Sequence, residues 1–224
     1  MTEAAAKKSD LGVRVASAVV MVAVAGAALW LGGWVWTVFV AVVALGVLWE
    51  WWGLVRLGTA QPALRIAGAV FGLVYIGAAA FILGFLRNFG LVAVLVPLLC
   101  VIATDIGAYF SGRAIGGPKI APSISPSKTW AGLIGGMAAA TLALLIHDRF
   151  LGWNSQISEI ALLGSGLAIV AQAGDFLESW MKRKAGVKDS GTLIPGHGGL
   201  LDRVDGLLAA TLGFAATLVF TALS

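Results

Sequence analysis

Seven apolar segments, each about as long as a membrane-spanning helix, dominate the sequence and limit the folds open to it. A helix needs roughly 20 apolar residues to cross the hydrocarbon core of a bilayer. Charged residues make up only 12% of the chain, against roughly 25% in soluble domains. The sequence therefore predicts an all-α, polytopic integral membrane protein. The predicted spans are 13–31, 34–54, 66–86, 91–110, 130–146, 160–176 and 207–223.

The lysines and arginines predict how the chain is oriented in the membrane. If the N-terminus is cytoplasmic, all but two of the 15 basic residues, Arg87 and Arg149, fall on the inner side. The positive-inside rule states that cytoplasmic loops carry the excess of Lys and Arg, so the seven spans and this orientation support each other. The net charge of +4 therefore reflects membrane topology. It gives little support to nucleic-acid binding, which needs a clustered basic face.

Acidic residues stand where the apolar spans meet two polar loops. Asp105 lies inside the fourth span, and Asp175 is almost the last residue of the sixth. A charge at such a depth costs about 3 kcal/mol on insertion scales, so it usually faces a protein interior, a partner or an ion. We expect a functional role for both residues. Glu50 and Glu159 are interpreted instead as helix-end carboxylates that reach water.

Further acids follow at helical spacing and suggest a metal. Asp202 and Asp205 are three residues apart at the start of the last helix, as Asp175 and Glu178 are at the end of the sixth, so each pair shares a helix face. Carboxylates suit a hard cation such as Mg²⁺, which keeps water and phosphate oxygens as its other ligands. The alternative is that the aspartates are helix caps that interact with the dipole.

Basic residues surround these acids in the sequence. An alternation of acid and base is typical of a site for a metal-bound polyphosphate. A cytosolic basic run can also do no more than hold anionic lipid headgroups, which is the alternative interpretation. The basic residues concerned are Lys128, Lys182, Arg183, Lys188 and Arg203.

Glycines precede the last helix. Gly196, Gly198 and Gly199 flank His197 and lead directly into the helix start. Such a segment would let backbone N–H groups approach a phosphate at a positive helix terminus, although the GxxxxGK[ST] pattern of P-loops is absent. His197 is interpreted as a phosphate donor or proton carrier, with a purely structural hydrogen bond as the alternative.

Three segments after residue 103 resemble a known family. The segment 179–205 reads SWMKRKAGVKDSGTLIPGHGGLLDRVD. It fits the signature of the phosphatidate cytidylyltransferases, also called CDP-diacylglycerol synthases, at every fixed position. Segments 104–113 and 125–132 resemble two further blocks of that family. Ser127 and Ala131 stand where its members commonly carry Lys and Glu.

The resemblance implies a reaction and a set of residues. CTP and phosphatidate would give CDP-diacylglycerol and pyrophosphate, with Mg²⁺ as cofactor. Asp175 and Asp202 would hold the metal, with Asp205 as a further ligand and Asp105 and Asp189 as additional candidates. The expected catalytic residues are Asp175, Asp202, Lys188 and Arg203. The residues expected to contact a substrate are Ser125, Lys128, Thr129, Lys182, Arg183, His197, Gly198 and Gly199.

We expect one membrane domain in two parts. Scaffold helices occupy residues 1–90, and the catalytic region, 91–224, carries cytoplasmic loops at 111–129 and 177–206. The resemblance favours a homodimer in a bacterial cytoplasmic membrane, with the active site facing the cytoplasm and no nucleic-acid partner. A CTP-dependent lipid kinase is the alternative function, because it would use similar metal and phosphate groups. A cation transporter is the less favoured one.

Overall fold

The computed structural model describes residues 3–223 and the side chains of residues 12–223. Lys7 and Lys8, which contribute to the predicted orientation, have side chains outside this range, and the orientation stays a prediction. Seven helices in the described chain are long and apolar enough to cross a membrane, so the predicted all-α polytopic class is confirmed. These helices are α1 (Glu3–Leu31), α2 (Gly33–Gly58), α3 (Pro62–Leu86), α4 (Leu91–Ala114), α5 (Trp130–Phe150), α6 (Ile157–Ala185) and α7 (Leu201–Leu223).

Helix α6 continues well past its apolar span. The span was predicted to end at residue 176, whereas the helix ends at Ala185, so the predicted loop 177–206 is reduced to residues 186–200. Hydropathy detects only the apolar part of a helix, but Leu, Glu, Met, Lys and Arg are also good helix formers. Lys182 Nζ lies 2.6 Å from Glu178 Oε2 in an i,i+4 pair, which supports this polar extension.

The first polar loop contains a small β-hairpin that the sequence analysis did not predict. Strands β1 (Lys119–Ala121) and β2 (Ser125–Thr129) pair antiparallel. The strands are too short to give a clear period-two pattern, and Pro126 interrupts β2; proline is tolerated in such edge strands. At the end of β2, the Thr129 side chain accepts a hydrogen bond from Gly132 N at 3.0 Å. Thr129 is thus the N-cap of α5.

The chain divides into two compact units, which are described separately. The first unit comprises Met1–Leu91 and Lys184–Arg203, and the second comprises Val92–Arg183 and Val204–Ser224. In the first unit, α2 and α3 are joined by buried tryptophans. Trp36 Nε1 donates to Leu83 O at 3.0 Å, and Trp51 Nε1 donates to Gly68 O at 2.9 Å. These bonds satisfy the indole N–H groups inside the apolar interface.

In the second unit, a glycine lets α6 and α7 approach closely. A Cβ added to Gly174 would lie 2.6 Å from Asp205 O and 2.7 Å from Ala209 Cβ. Small residues commonly permit such contacts between membrane helices. The contact sets the backbone of Asp205, on α7, against the residue that precedes Asp175 on α6.

Candidate active site

Three carboxylates of the second unit converge where α6 and α7 meet. We define the acidic cluster as Asp175, Glu178 and Asp205. One carboxylate oxygen of each residue lies within 4.8 Å of the others. Asp175 and Glu178 are neighbours on one face of α6, and the close contact at Gly174 brings Asp205 to them from α7. Residues 30 positions apart in the sequence therefore form one group.

Lysines neutralise part of the negative charge of the acidic cluster. Lys128, from strand β2, forms an ion pair with Asp175, and Lys182 pairs with Glu178 at 2.6 Å. Ser179 Oγ donates to Asp175 Oδ1 at 3.2 Å. The charges of Asp175, Lys128 and Lys182 all act on Asp205. Two ammonium groups thus lie beside the three carboxyl groups of the acidic cluster.

The donor set of the acidic cluster fits a hard divalent cation. Its atoms are carboxylate oxygens, which Mg²⁺ and Ca²⁺ prefer, and it contains no thiolate or imidazole. Asp175 is also accessible, because 35% of its side chain is exposed. The structure thus brings together Asp175 and Asp205 of the predicted metal ligands. Glu178, which was not among the predicted ligands, completes the group. Its three-residue spacing from Asp175 was the signal that could have identified it.

Other predicted site residues of the second unit lie on the hairpin, α6 and α4. Lys128 Nζ contacts the ring of Phe176, 4.7 Å from its centroid, as well as Asp175. Arg183 is exposed and donates from Nε to Ile124 O at 3.2 Å, which ties the end of α6 to the hairpin. Asp105 is exposed on α4, where the charges of Asp175 and Lys128 act on it.

Ser125 and Thr129 are buried in the same hairpin. The Thr129 hydroxyl oxygen already caps α5. The helix cap alone is a structural reason for a threonine at position 129, whether or not the residue contacts a substrate. Any contact of Ser125 or Thr129 with a substrate stays a prediction.

The first unit contains a second arrangement of carboxylates, which accept hydrogen bonds from the loop 186–200. We call this segment the glycine loop. Asp202 Oδ2 accepts hydrogen bonds from Ser190 N at 2.9 Å, Ser190 Oγ at 3.0 Å and Gly199 N at 3.0 Å. The Gly199 amide, which was predicted to bind a phosphate, therefore donates to Asp202 in this structure. A bridge between Ile194 N and Gly198 O at 3.0 Å closes the loop.

The expected exposure of Glu50 is wrong. The residue was interpreted as a carboxylate that reaches water, but it is only 3% exposed. Its Oε2 atom accepts from Leu201 N at 2.8 Å. It also lies 3.1 Å from Ser190 Oγ, whose single proton it shares with Asp202 Oδ2. The position near the end of an apolar span suggested snorkelling, whereas the folded loop covers the side chain. The other carboxylate interpreted this way, Glu159, is exposed as expected.

The remaining predicted residues lie on or beside the glycine loop. His197 Nδ1 lies 2.8 Å from Ser17 Oγ, a contact that agrees with the structural alternative for this histidine. Arg203 donates to His197 O at 2.6 Å. Lys188 and Asp189 are exposed. Exposure leaves their side chains accessible to a soluble anion or cation.

Fold and site together define a helical membrane protein with a carboxylate cluster suited to a divalent cation. Residues 59–221 match the sequence model of the Cytidylyltransferase family. The chain belongs to this family, and the resemblance drawn from the three sequence segments is confirmed. Glu50 and the first two helices lie outside the matched region.

The chain is similar to proteins named phosphatidate cytidylyltransferase. It is 51% identical to that of Brucella suis over 146 residues, which cover 62% of this chain and 52% of the relative. It is 37% identical to that of Haemophilus influenzae over 191 residues, which cover 74% and 65%. It is 39% identical to the chloroplastic phosphatidate cytidylyltransferase 4 of Arabidopsis thaliana over 161 residues, which cover 71% and 39%. The chain thus spans about half the length of several curated relatives it matches.

Proposed function

We propose that the protein is a phosphatidate cytidylyltransferase, which converts CTP and phosphatidate into CDP-diacylglycerol and pyrophosphate. The observation that supports this most directly is the acidic cluster with its flanking lysines, in a membrane protein of the Cytidylyltransferase family. Such a cluster suits a metal-bound polyphosphate. The names of the relatives favour phosphatidate as the acceptor.

The proposed reaction needs no activated side-chain nucleophile. An oxygen of the phosphatidate phosphate forms a bond to the α-phosphorus of CTP. The bond from that phosphorus to the oxygen bridging the β-phosphate breaks, and its electron pair leaves with pyrophosphate. The phosphate oxygen already carries charge, so the protein has to align two anions and stabilise the charge that gathers around the α-phosphorus.

The residues of the acidic cluster and its lysines divide this work. Asp175, Glu178 and Asp205 are the residues that would hold Mg²⁺, which when bound supplies positive charge to the phosphate oxygens. Lys128 and Lys182 adjoin the same carboxylates and are proposed to bind phosphate oxygens as point charges. Arg203 and Lys188 are proposed as further phosphate ligands, and Arg183 as a contact for either substrate. That Asp202 shares the metal with Asp175 stays a prediction.

A labelling experiment tests the proposed reaction. Purified protein in detergent would receive phosphatidate, Mg²⁺ and CTP labelled either at the α- or at the γ-phosphate. We expect α-label in the lipid, an equal amount of pyrophosphate, and loss of turnover when EDTA removes the metal. Lipid labelled only by γ-phosphate, with release of CDP, would instead identify the lipid kinase. Metal flux into vesicles without nucleotide, and no lipid product, would identify a transporter.

The proposal includes a location and an assembly that the resemblance implies. CTP is soluble, whereas phosphatidate lies in the bilayer with its headgroup at the interface, so a site at the inner ends of the spans would admit both. We propose the bacterial cytoplasmic membrane, with the site facing the cytoplasm, and a homodimer. A protease-protection assay of the glycine loop tests the side of the membrane that the site faces. Crosslinking in native membranes tests the homodimer.

A further inference from the structure

We propose that Glu50, on helix α2, is a positioning residue that holds the glycine loop in its working conformation. The inference rests on the proposed function, in which Lys188 on this loop and Arg203 directly after it bind phosphate. Glu50 precedes the region that matches the family model, residues 59–221. It gives one of the N-terminal helices, predicted to be a scaffold only, a direct role in shaping this loop.

Glu50 lies on the face of α2 that the loop covers. Gly46 is one turn earlier on the same face, and a Cβ added there would lie 2.8 Å from Leu200 and 3.6 Å from Leu193 of the glycine loop. The absence of a side chain at Gly46 therefore makes room for the apolar residues of the loop. Glu50, four residues on, supplies the polar contact.

The hydrogen bonds of Glu50 fix two separated points of the loop. Leu201 N, at the first residue of α7, donates to Glu50 Oε2 at 2.8 Å. Ser190 Oγ lies 3.1 Å from the same oxygen and 3.0 Å from Asp202 Oδ2. Glu50 thereby fixes the start of α7 and, through Ser190, the carboxylate of Asp202. The segment between these two points carries His197, and Arg203 follows it.

The loop is fitted closely around this carboxylate. A Cβ added to Gly199 would lie 2.7 Å from Glu50 Oε2, and one added to Gly191 would collide with Glu50 Oε1. Any other residue at either position would have to displace the glutamate or the loop backbone. The glycines that were predicted to approach a phosphate therefore have a second reason to be small, because they make room for Glu50.

Stability alone gives Glu50 little reason to be present. Burial of a charged group costs free energy unless it is fully hydrogen-bonded, and Glu50 Oε1 has no hydrogen-bond partner among the described residues. Well-packed apolar side chains often replace buried charges without loss of stability. We infer that the benefit of Glu50 is the fixed conformation of the loop.

Steady-state kinetics of Glu50→Ala and Glu50→Gln test the proposal, with Glu159→Gln as the matched control at an exposed glutamate. Glu50→Ala removes the acceptor of Leu201 N and one of the two acceptors beside Ser190 Oγ. We expect its KM for CTP to rise about 10-fold, as for other orienting partners, with a smaller fall in kcat and an unchanged Mg²⁺ requirement. Glu50→Gln keeps an acceptor oxygen and should recover most of the loss. Glu159→Gln should behave as wild type.

Hydrogen–deuterium exchange of the same proteins gives a readout that needs no activity. Glu50→Ala should accelerate exchange in peptides covering residues 186–203 while leaving those of α3 unchanged. Ser190→Ala, which removes a single hydroxyl, should do so more weakly and provides the test if Glu50→Ala does not fold. Wild-type kinetics or unchanged loop exchange in Glu50→Ala would overturn the proposal. An inactive wild-type protein would refute the proposed function, and loop exchange would then decide the positioning role alone.

Discussion

The acidic cluster and a second pair of carboxylates, Glu50 and Asp202, which Ser190 links, use the same kind of side chain with different partners. In the acidic cluster, two carboxylates are paired with lysine ammonium groups. Glu178 is buried, but 35% of the Asp175 side chain is exposed. In the pair, the partners are backbone amides and one hydroxyl, and Glu50 is 3% exposed. The carboxylates of the acidic cluster thus face ammonium groups, and those of Glu50 and Asp202 face the donors of a loop.

The difference in partners and exposure indicates that one group of carboxylates is suited to binding and the other to positioning. The Lys128–Asp175 ion pair is partly exposed, and such a pair contributes about 0–1 kcal/mol, so Lys128 can give up its carboxylate to a metal ion or turn to a phosphate at low cost. A buried amide that loses its acceptor costs about 1–3 kcal/mol, so Asp202 and Glu50 cannot release their donors without disturbing the loop. Asp175 is therefore suited to exchange its cationic partner, whereas Glu50 and Asp202 are suited to hold the loop.

Removal of one charge from the acidic cluster should have the largest effect. Asp175→Asn deletes a proposed metal ligand and the partner of Lys128. Metal ions supply several kcal/mol of charge stabilisation in such reactions, so turnover should fall by more than about 100-fold. The thermal unfolding temperature should stay near that of the wild type. The measurement is pyrophosphate release in detergent.

Glu159→Gln is the carboxylate-to-amide control for this variant, because Glu159 is exposed and belongs to neither group. Its activity should equal that of the wild type. Near-normal turnover of Asp175→Asn would remove the acidic cluster from the proposed mechanism, and the comparison between the two groups would then have no functional meaning.

Asp202→Asn should have an intermediate effect and is the sharpest test of the comparison. The variant weakens the three contacts of Asp202 Oδ2 with Ser190 and Gly199, so unfolding should become easier by about 1–3 kcal/mol. Activity should fall by about 10-fold. The Mg²⁺ concentration for half-maximal rate should stay the same, because the residue acts on the loop.

A titration of the rate with Mg²⁺ distinguishes this from the sequence-based prediction. If Asp202 holds the metal together with Asp175, the half-maximal Mg²⁺ concentration should rise strongly in Asp202→Asn. That result would show that the carboxylates do not divide into a binding and a positioning group, and it would restore the ligand set first inferred from the family resemblance.

The sequence predicts features that depend on neighbouring residues better than those that depend on distant ones. The seven spans follow from hydropathy, and Asp175 and Asp205 were identified from their places at helix ends. The proposed role of Glu50 was not predicted, because its partner Ser190 lies 140 residues further along the chain. No local sequence pattern indicates that contact. The polar extension of α6 was missed for another reason, since hydropathy responds to burial in lipid and not to helix propensity.

The smallest predicted effect concerns Lys188, an exposed lysine of the glycine loop. If it binds a CTP phosphate, Lys188→Ala should raise the KM for CTP about two- to fivefold, since an exposed charge contributes about 0.5–1 kcal/mol. kcat and the Mg²⁺ requirement should not change. The increase in KM should shrink as salt is added, because the Debye length falls from about 10 Å at 0.1 M to about 3 Å at 1 M.

Lys119→Ala is the matched control for Lys188→Ala, because Lys119 is an exposed lysine with no proposed substrate contact. KM measured at low and high salt for both variants separates a local phosphate contact from a general loss of positive charge. An equal rise in both would attribute the effect to net charge, and an unchanged KM for Lys188→Ala at low salt would exclude its phosphate role. A rise confined to Lys188→Ala would show that the loop that Glu50 positions also contributes a binding group, so that positioning and binding meet in one segment.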